Sequence, residues 1–435
     1  MRNNKKIGLS LSGGGFRATA YHIGTLKKLY EMGILKDIDV ISSVSGGSIT
    51  SAYYGLHGQD FSEFEKGLID GVRSNVIKGI LLSPRFILIT LFFITSILFL
   101  FFWLFGIYPW ISFLILVAYI ICLIKFQFRI LPISNIIEDL YNKFFFKNTV
   151  LSDLCSRPVI AINSTNLETG RLFTFSKSKM GDSAYAYPVD NGQPITFKSE
   201  KFPIARAVSA STCVPFAFTP IIIDKSYFYD KNDLKRVNPR LIDGGVYDNQ
   251  GIHKITQAGS SYECEIIITS DAGNLLPYQS RFRNTFELLI RTSNLFMNRI
   301  KNFQLIEHVY ENSKTSKREI AYFSLGWDIN KCIPGFIENL RKSAIPQSVI
   351  TAHGINQDDI INLKWDTIET KLKDNVNYNG ILEQIPHEEE LKVARSVKTS
   401  LKTLKEPEIK ALIKHSYCMT ELQVKLYCPS LKIFH

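Results

Sequence analysis

The chain has 435 residues, 46% of them hydrophobic and 21% charged, enough for one large domain or two ordinary ones and too balanced for wholesale disorder or a collagen-like repeat. Its 51 Lys and Arg against 40 Asp and Glu leave +11, which suits an anionic partner such as an acidic lipid surface or nucleic acid. Seven scattered cysteines without a Cys-x-x-Cys spacing indicate neither a disulfide framework nor a zinc site, and fit a reducing compartment; no cofactor is implied. The N-terminal MRNNKKIGLSLSGGG reaches glycines after a short apolar run, unlike a secretory signal, so synthesis in the cytosol is expected.

In chain order, residues 6–11 read as a strand, 12–16 as a glycine loop, 17–32 as a helix, 38–43 as a second strand and 46–56 as a second helix. Glycines at both strand-to-helix turns predict an α/β sheet. Residues 86–124 then run for 39 positions without Asp, Glu, Lys, Arg, His, Asn or Gln, leaving all 91 charges on the other 396 residues. Gly106, Tyr108 and Pro109 divide this stretch into two helices, 86–105 and 107–124, the second extendable to 128. Twenty helical residues span about 30 Å, the hydrocarbon thickness of a bilayer. Trp103, Tyr108 and Trp110 cluster at the turn, while Lys78, Arg85, Lys125 and Arg129 flank the outer ends. That distribution predicts a transmembrane hairpin with both ends in the cytosol, in preference to a buried core hairpin. Further strands are expected at 159–163, 172–175, 240–242 and 265–269, and a polar, mostly helical region after Gly273. Within it, residues 281–318 hold eight Lys or Arg against three Asp or Glu, which reads as a solvated face or as one set against anionic headgroups.

Three segments carry chemistry. In "GLSLSGGGFRA", Gly13, Gly14, Gly15 and Arg17 lie between a strand and a helix, where side-chain-free amides can converge on a phosphate or an oxyanion. No Gly-Lys-Ser/Thr follows, so this is not a P-loop. In "VISSVSGGS", Ser45 sits at a sharp turn that approximates a G-x-S-x-G nucleophile elbow, with Ser43 in place of the first glycine. In "LIDGGVYDNQG", Asp243 ends an apolar strand before Gly244 and Gly245, with Asp248 a competitor for its role. Each alone is as easily a turn.

Together, in this order, the three resemble the patatin-like phospholipases, and "ASTCVPFAFTP" resembles that family's stretch before the aspartate through Ala210, Ser211, Pro215, Phe218 and Pro220. The resemblance covers residues 6–56 and 202–273 and is fainter in the C-terminal helices. It implies a three-layer α/β/α sandwich, with Ser45 as nucleophile, Asp243 completing a Ser-Asp dyad, and Gly13, Gly14 and Gly15 as oxyanion hole. The departures are Ser43, Ala18 for the last glycine of the loop, and the apolar insert. Arg17 would contact a phosphate or, preferably, brace the loop. The implied activity is hydrolysis of fatty-acyl esters of membrane lipids by a bilayer-held enzyme, with the phospholipid and the bilayer as partners and no nucleic acid. A transacylase with the same dyad and an inactive lipid-binding module are the alternatives. His22 and His253 lie near motifs and would serve a Ser-His-Asp triad, a less favoured arrangement. The expected organisation is a catalytic domain over 1–85 and 129–330, interrupted by the hairpin at 86–128, with a helical region at 331–435 packed on it.

Overall fold

The computed structural model describes residues 5–106, 109–188, 192–274, 276, 278, 281–311 and 318–431. Tyr108 of the aromatic turn, Ile107 at the start of the second apolar run, and 312–317 of the basic stretch lie outside the described residues.

The wholly buried strand β1 (Ile7–Leu11) turns into α1 (Gly15–Glu31) through Gly14 and Gly15, at φ of 142° and 59°, backbone angles that favour glycine. β2 (Val40–Val44) passes into α2 (Gly46–His57) through Ser45 alone. Two long apolar helices follow, α3 (Pro84–Leu104) and α4 (Pro109–Ile130), then α5 (Ile133–Tyr141). Next come β3 (Val159–Asn166), β4 (Arg171–Phe175), β5 (Met180–Gly181), α6 (Ile204–Ser211), β6 (Ile221–Ile222), β7 (Arg240–Asp243) and α7 (Gly245–Asp248). β8 (Ile266–Asp271), α8 (Thr285–Gln304), β9 (Glu319–Ser324) and α9 (Glu406–Tyr427) complete the main elements, with shorter helices between.

The strands form one mixed sheet in the order β5-β4-β3-β2-β1-β8-β9, with β7 joined to β3 and to β6. β3, β2, β1, β8 and β9 are parallel; β4 and β7 run antiparallel to β3. Alternate residues supply the two faces. Leu9, Ile41, Ile266, Ile268 and Ala321 belong to the large core, and Val40, Ala161, Ile267 and Ile320 to a smaller one opposite. Burial on both faces is why these strands read as continuous apolar runs. The sheet thus takes strands from both sides of the apolar helices.

After Gly273 the chain is mostly helical among the described residues, and β9 is the one strand in it that the sequence reading did not include. Its six residues are all buried, Glu319 included, whose carboxylate accepts the Ser430 N–H at 3.0 Å and the Ser430 hydroxyl. The strand's Ile320, Ala321, Tyr322 and Phe323 make a short apolar run between Glu319 and Ser324. At the C-terminus α9 lies along α1, so closely that a Cβ on Gly24 would stand 2.1 Å from the Ile413 carbonyl.

Candidate active site

β3 brings the two catalytic candidates together. Residues 159–163 of β3 pair with β2, and residues 164–166 pair with β7; β4 occupies the opposite edge. β2 and β7 therefore run toward one another along the same edge of β3 and meet end to end. Ser45 follows the last residue of β2 and Asp243 is the last of β7.

Ser45 holds φ 50° and ψ −121°, a backbone state that a non-glycine residue adopts only where its surroundings impose it. Its N–H donates to the Ser211 hydroxyl at 2.9 Å, and that hydroxyl donates to the Asn163 carbonyl at 2.6 Å. Both following glycines are obligatory by contact: a Cβ on Gly46 would lie 2.1 Å from the Gly15 carbonyl, and one on Gly47 2.4 Å from the Leu11 carbonyl. Ser43 keeps its hydroxyl satisfied by the Ser51 hydroxyl at 2.6 Å, so the departure from glycine is accommodated within the interior.

The Ser45 hydroxyl donates to Asp243 Oδ2 at 3.0 Å, and Asp243 Oδ1 accepts the Gly245 N–H at 2.7 Å. Burial pushes the Asp243 carboxyl up to about 6, against the opposing pull of these two hydrogen bonds. Asp248, the competitor, is fully buried with its oxygens accepting the N–H groups of Gln250, Gly251 and His253, which makes it the organiser of the turn after α7.

The glycine loop lies against Ser45, since a Cβ on Gly13 would stand 3.1 Å from Ser45 Cβ. Its three amides differ. Gly13 donates its N–H to the Asn249 carbonyl at 2.9 Å and is committed there, so the expectation of three equivalent oxyanion donors needs correcting. Among the described residues the amides of Gly14 and Gly15 have no partner. The loop is braced from the C-terminal region: the Ser400 carbonyl accepts the Phe16 N–H at 2.9 Å and would stand 2.5 Å from a Cβ on Gly15. Arg17 donates to the Val397 carbonyl at 3.3 Å, with its Nε buried and unbonded; burial lowers its pKa.

Neither histidine bonds the pair. His22 is fully buried between the Ser12 carbonyl and the Ser270 hydroxyl, both at 2.9 Å, and burial holds it down to about 4, neutral at pH 7. His253 faces the Tyr247 hydroxyl at 3.5 Å. Sequence reasoning missed the supporting roles of Ser211 and of Asn249, whose side-chain oxygen crowds both Gly13 and Gly245.

A profile of the patatin-like phospholipases matches residues 9–254, and the chain belongs to that family of lipid acyl hydrolases. No curated protein matches it in sequence. Among solved structures it is similar to VipD from Legionella pneumophila at 13% identity, covering 96% of this chain and 92% of that one, with a TM-score of 0.32. It is also similar to human GIVD cytosolic phospholipase A2, at 12% identity over 99% of this chain and 61% of that one, with a TM-score of 0.49. A complex of the human enzyme with methyl gamma-linolenyl fluorophosphonate and terbium chloride matches at 11% identity, 98% and 59% coverage and a TM-score of 0.45. The chain thus spans about three fifths of the human enzyme's length.

Proposed function

We propose that this chain is a membrane-anchored hydrolase of fatty-acyl lipid esters working through Ser45 and Asp243. Asp243 Oδ2 takes the hydroxyl proton as Ser45 Oγ attacks the ester carbonyl, and the proton passes to the leaving alcohol as the acyl-enzyme forms. Water then attacks the acyl-enzyme, gives its proton to Asp243, and releases the fatty acid as Ser45 is reprotonated. The free amides of Gly14 and Gly15 would stabilise the oxyanion in both steps, and Gly13 serves by placing the loop. The observation that carries this reading is the 3.0 Å Ser45–Asp243 hydrogen bond to a carboxylate whose pKa is pushed up to about 6, a stronger base than an aspartate in water.

Anchoring rests on α3 and α4. Both are long and apolar enough to cross a membrane by length and composition, and hardly any of their residues is buried within the protein. The basic residues at their outer ends favour a body on the cytosolic side, with phospholipid as substrate. The test is release of fatty acid from mixed phospholipid vesicles, with labelling by a fluorophosphonate. Turnover by the wild type, lost in Ser45→Ala and Asp243→Asn, supports the dyad. An inert wild type that a fluorophosphonate leaves unlabelled refutes it. Acyl transfer to added glycerol or lysolipid in place of hydrolysis would make the enzyme a transacylase.

A further inference from the structure

Helix α8 has three distinct faces. Its inner edge packs on the body: Met297 comes within 3.2 Å of where a Cβ on Gly245 would lie, and Lys301 Nζ reaches Asp271 at 2.5 Å. A polar arc carries Glu287, Asn294, Asn298 and Asn302. Leu288, Leu289, Leu295, Phe296 and Phe303 fall within a third arc of about 120°, which they share with Thr285, Thr292 and Arg299. All five are exposed, Phe296 at 63% and Phe303 at 66%, and Gln304 is the one buried residue of the helix. Five large apolar side chains gathered on one side of a helix and left open in a folded protein mark a contact surface, with Arg299 set among them.

Two observations choose its occupant. The first is charge: apart from Lys301, which pairs with Asp271, residues 281–301 hold Arg281, Arg283, Arg291 and Arg299 against Glu287 alone. The second is continuity with the apolar hairpin across the dyad. On one flank, α8 packs on α7, which begins two residues after Asp243. On the other, the Asp243 N–H donates to the Cys213 carbonyl at 2.8 Å, Cys213 Sγ to the Thr219 carbonyl at 3.1 Å, and the Thr219 hydroxyl to the Leu131 carbonyl at 3.2 Å, at the foot of α4. The loop between Cys213 and Thr219 exposes Phe216 at 59%.

We propose that the apolar face of α8 lies in the headgroup region of an anionic phospholipid bilayer, forming with the foot of the hairpin a membrane-docking surface on both flanks of the dyad. Apolar side chains enter the acyl boundary while the arginines meet lipid phosphates. The inference rests on reading this chain as a bilayer lipid hydrolase, and its test does not require turnover.

The full chain is prepared with Ser45→Ala, Cys122→Ser and Cys155→Ser, which silences the elbow and removes the thiols that are not buried. A spin label is placed through Phe296→Cys, Phe303→Cys or Asn298→Cys, and its exposure to oxygen and to a water-soluble nickel chelate is measured. In phosphatidylcholine vesicles containing phosphatidylglycerol, labels at 296 and 303 should favour oxygen over chelate several-fold more than the label at 298. In pure phosphatidylcholine that contrast should shrink. Chelate-accessible labels at all three positions in both vesicles would overturn docking, and an equal contrast in both vesicles would overturn the anionic preference. Spin–spin broadening at 296 that disappears on dilution with unlabelled chain would identify a second copy as the occupant and overturn the proposal. Fatty-acid release by the wild type is scored separately, so failure of the hydrolase reading is distinguishable from failure of docking.

Discussion

Lys301 meets Asp271 at 2.5 Å, pinning α8 to the last residue of β8, the strand beside the one that leads into the glycine loop. Asp271 also accepts from the Tyr322 hydroxyl at 2.7 Å and the Ser324 hydroxyl at 3.1 Å. Burial alone would raise its pKa, but Lys301, the Tyr322 hydroxyl and the Gly273 N–H hold it down to about 2. A carboxyl depressed below its unfolded value contributes stability above about pH 4 and loses it as pH falls toward 2. Lys301→Met should therefore destabilise by about 3 kcal/mol at neutral pH, because a buried charge loses its counter-ion. The difference from wild type should fade as pH falls and the variant's unpaired carboxyl, raised by burial, takes up its proton, as read by thermal unfolding in detergent micelles.

If Ser45 and Asp243 act as the proposed dyad, removing either should lower fatty-acid release by at least about 1,000-fold, and both together by little more. Circular dichroism checks that Ser45→Ala and Asp243→Asn remain folded.

Asp243 gives opposite pH trends for activity and stability. As a base it must be ionised, so kcat/KM should rise tenfold per pH unit below about 6 and level off above. As a buried group with its pKa raised in the folded state, it binds its proton more tightly there than when unfolded. Its contribution to stability is therefore full below about pH 4 and is lost as pH rises through about 6, by about 3 kcal/mol. Asp243→Asn should flatten that decline. A wild-type rate that is flat from pH 5 to 8 would remove Asp243 as the base.

Gly46→Ala tests the loop against the elbow. The new methyl would meet the Gly15 carbonyl at 2.1 Å, backbone against backbone, so the loop must move. The expected result is destabilisation of about 1–3 kcal/mol and a rate loss of about 100-fold or more, with Ser45 and Asp243 untouched.

For the apolar helices, the full chain should stay in the membrane pellet after alkaline carbonate extraction. Ile94→Arg with Ile120→Arg, both on exposed positions mid-helix, should oppose insertion by about 5–7 kcal/mol and release the chain. Release of the wild type would argue against spanning.

How much was legible follows from where each signal resides. Strand-to-helix turns at Gly13–Gly15 and at Ser45 were readable because their glycines are required by local contacts and leave a composition signature. The meeting of Ser45 with Asp243 could be read only through family resemblance, since it depends on β3 serving two strands along one edge, a relation between residues 198 apart. The commitment of the Gly13 amide to Asn249 and the burial of Glu319 in β9 left no local pattern. In α8, composition showed the positive charge; that its apolar face is left uncovered is a property of packing alone.

The carbonyl of Ser400 has a bearing on the order of events during synthesis. Positions 84–130 leave the ribosome some 270 residues before it does, yet Phe16 and the bend at Gly15 take their final support from it. On the proposed reading, the nascent chain would offer its apolar helices to the membrane while its glycine loop is still unsupported, and competence at the serine would arrive only after Ser400 has been made. Chains stalled before Ser400 should already sediment with membranes while failing to react with a fluorophosphonate that labels the finished protein.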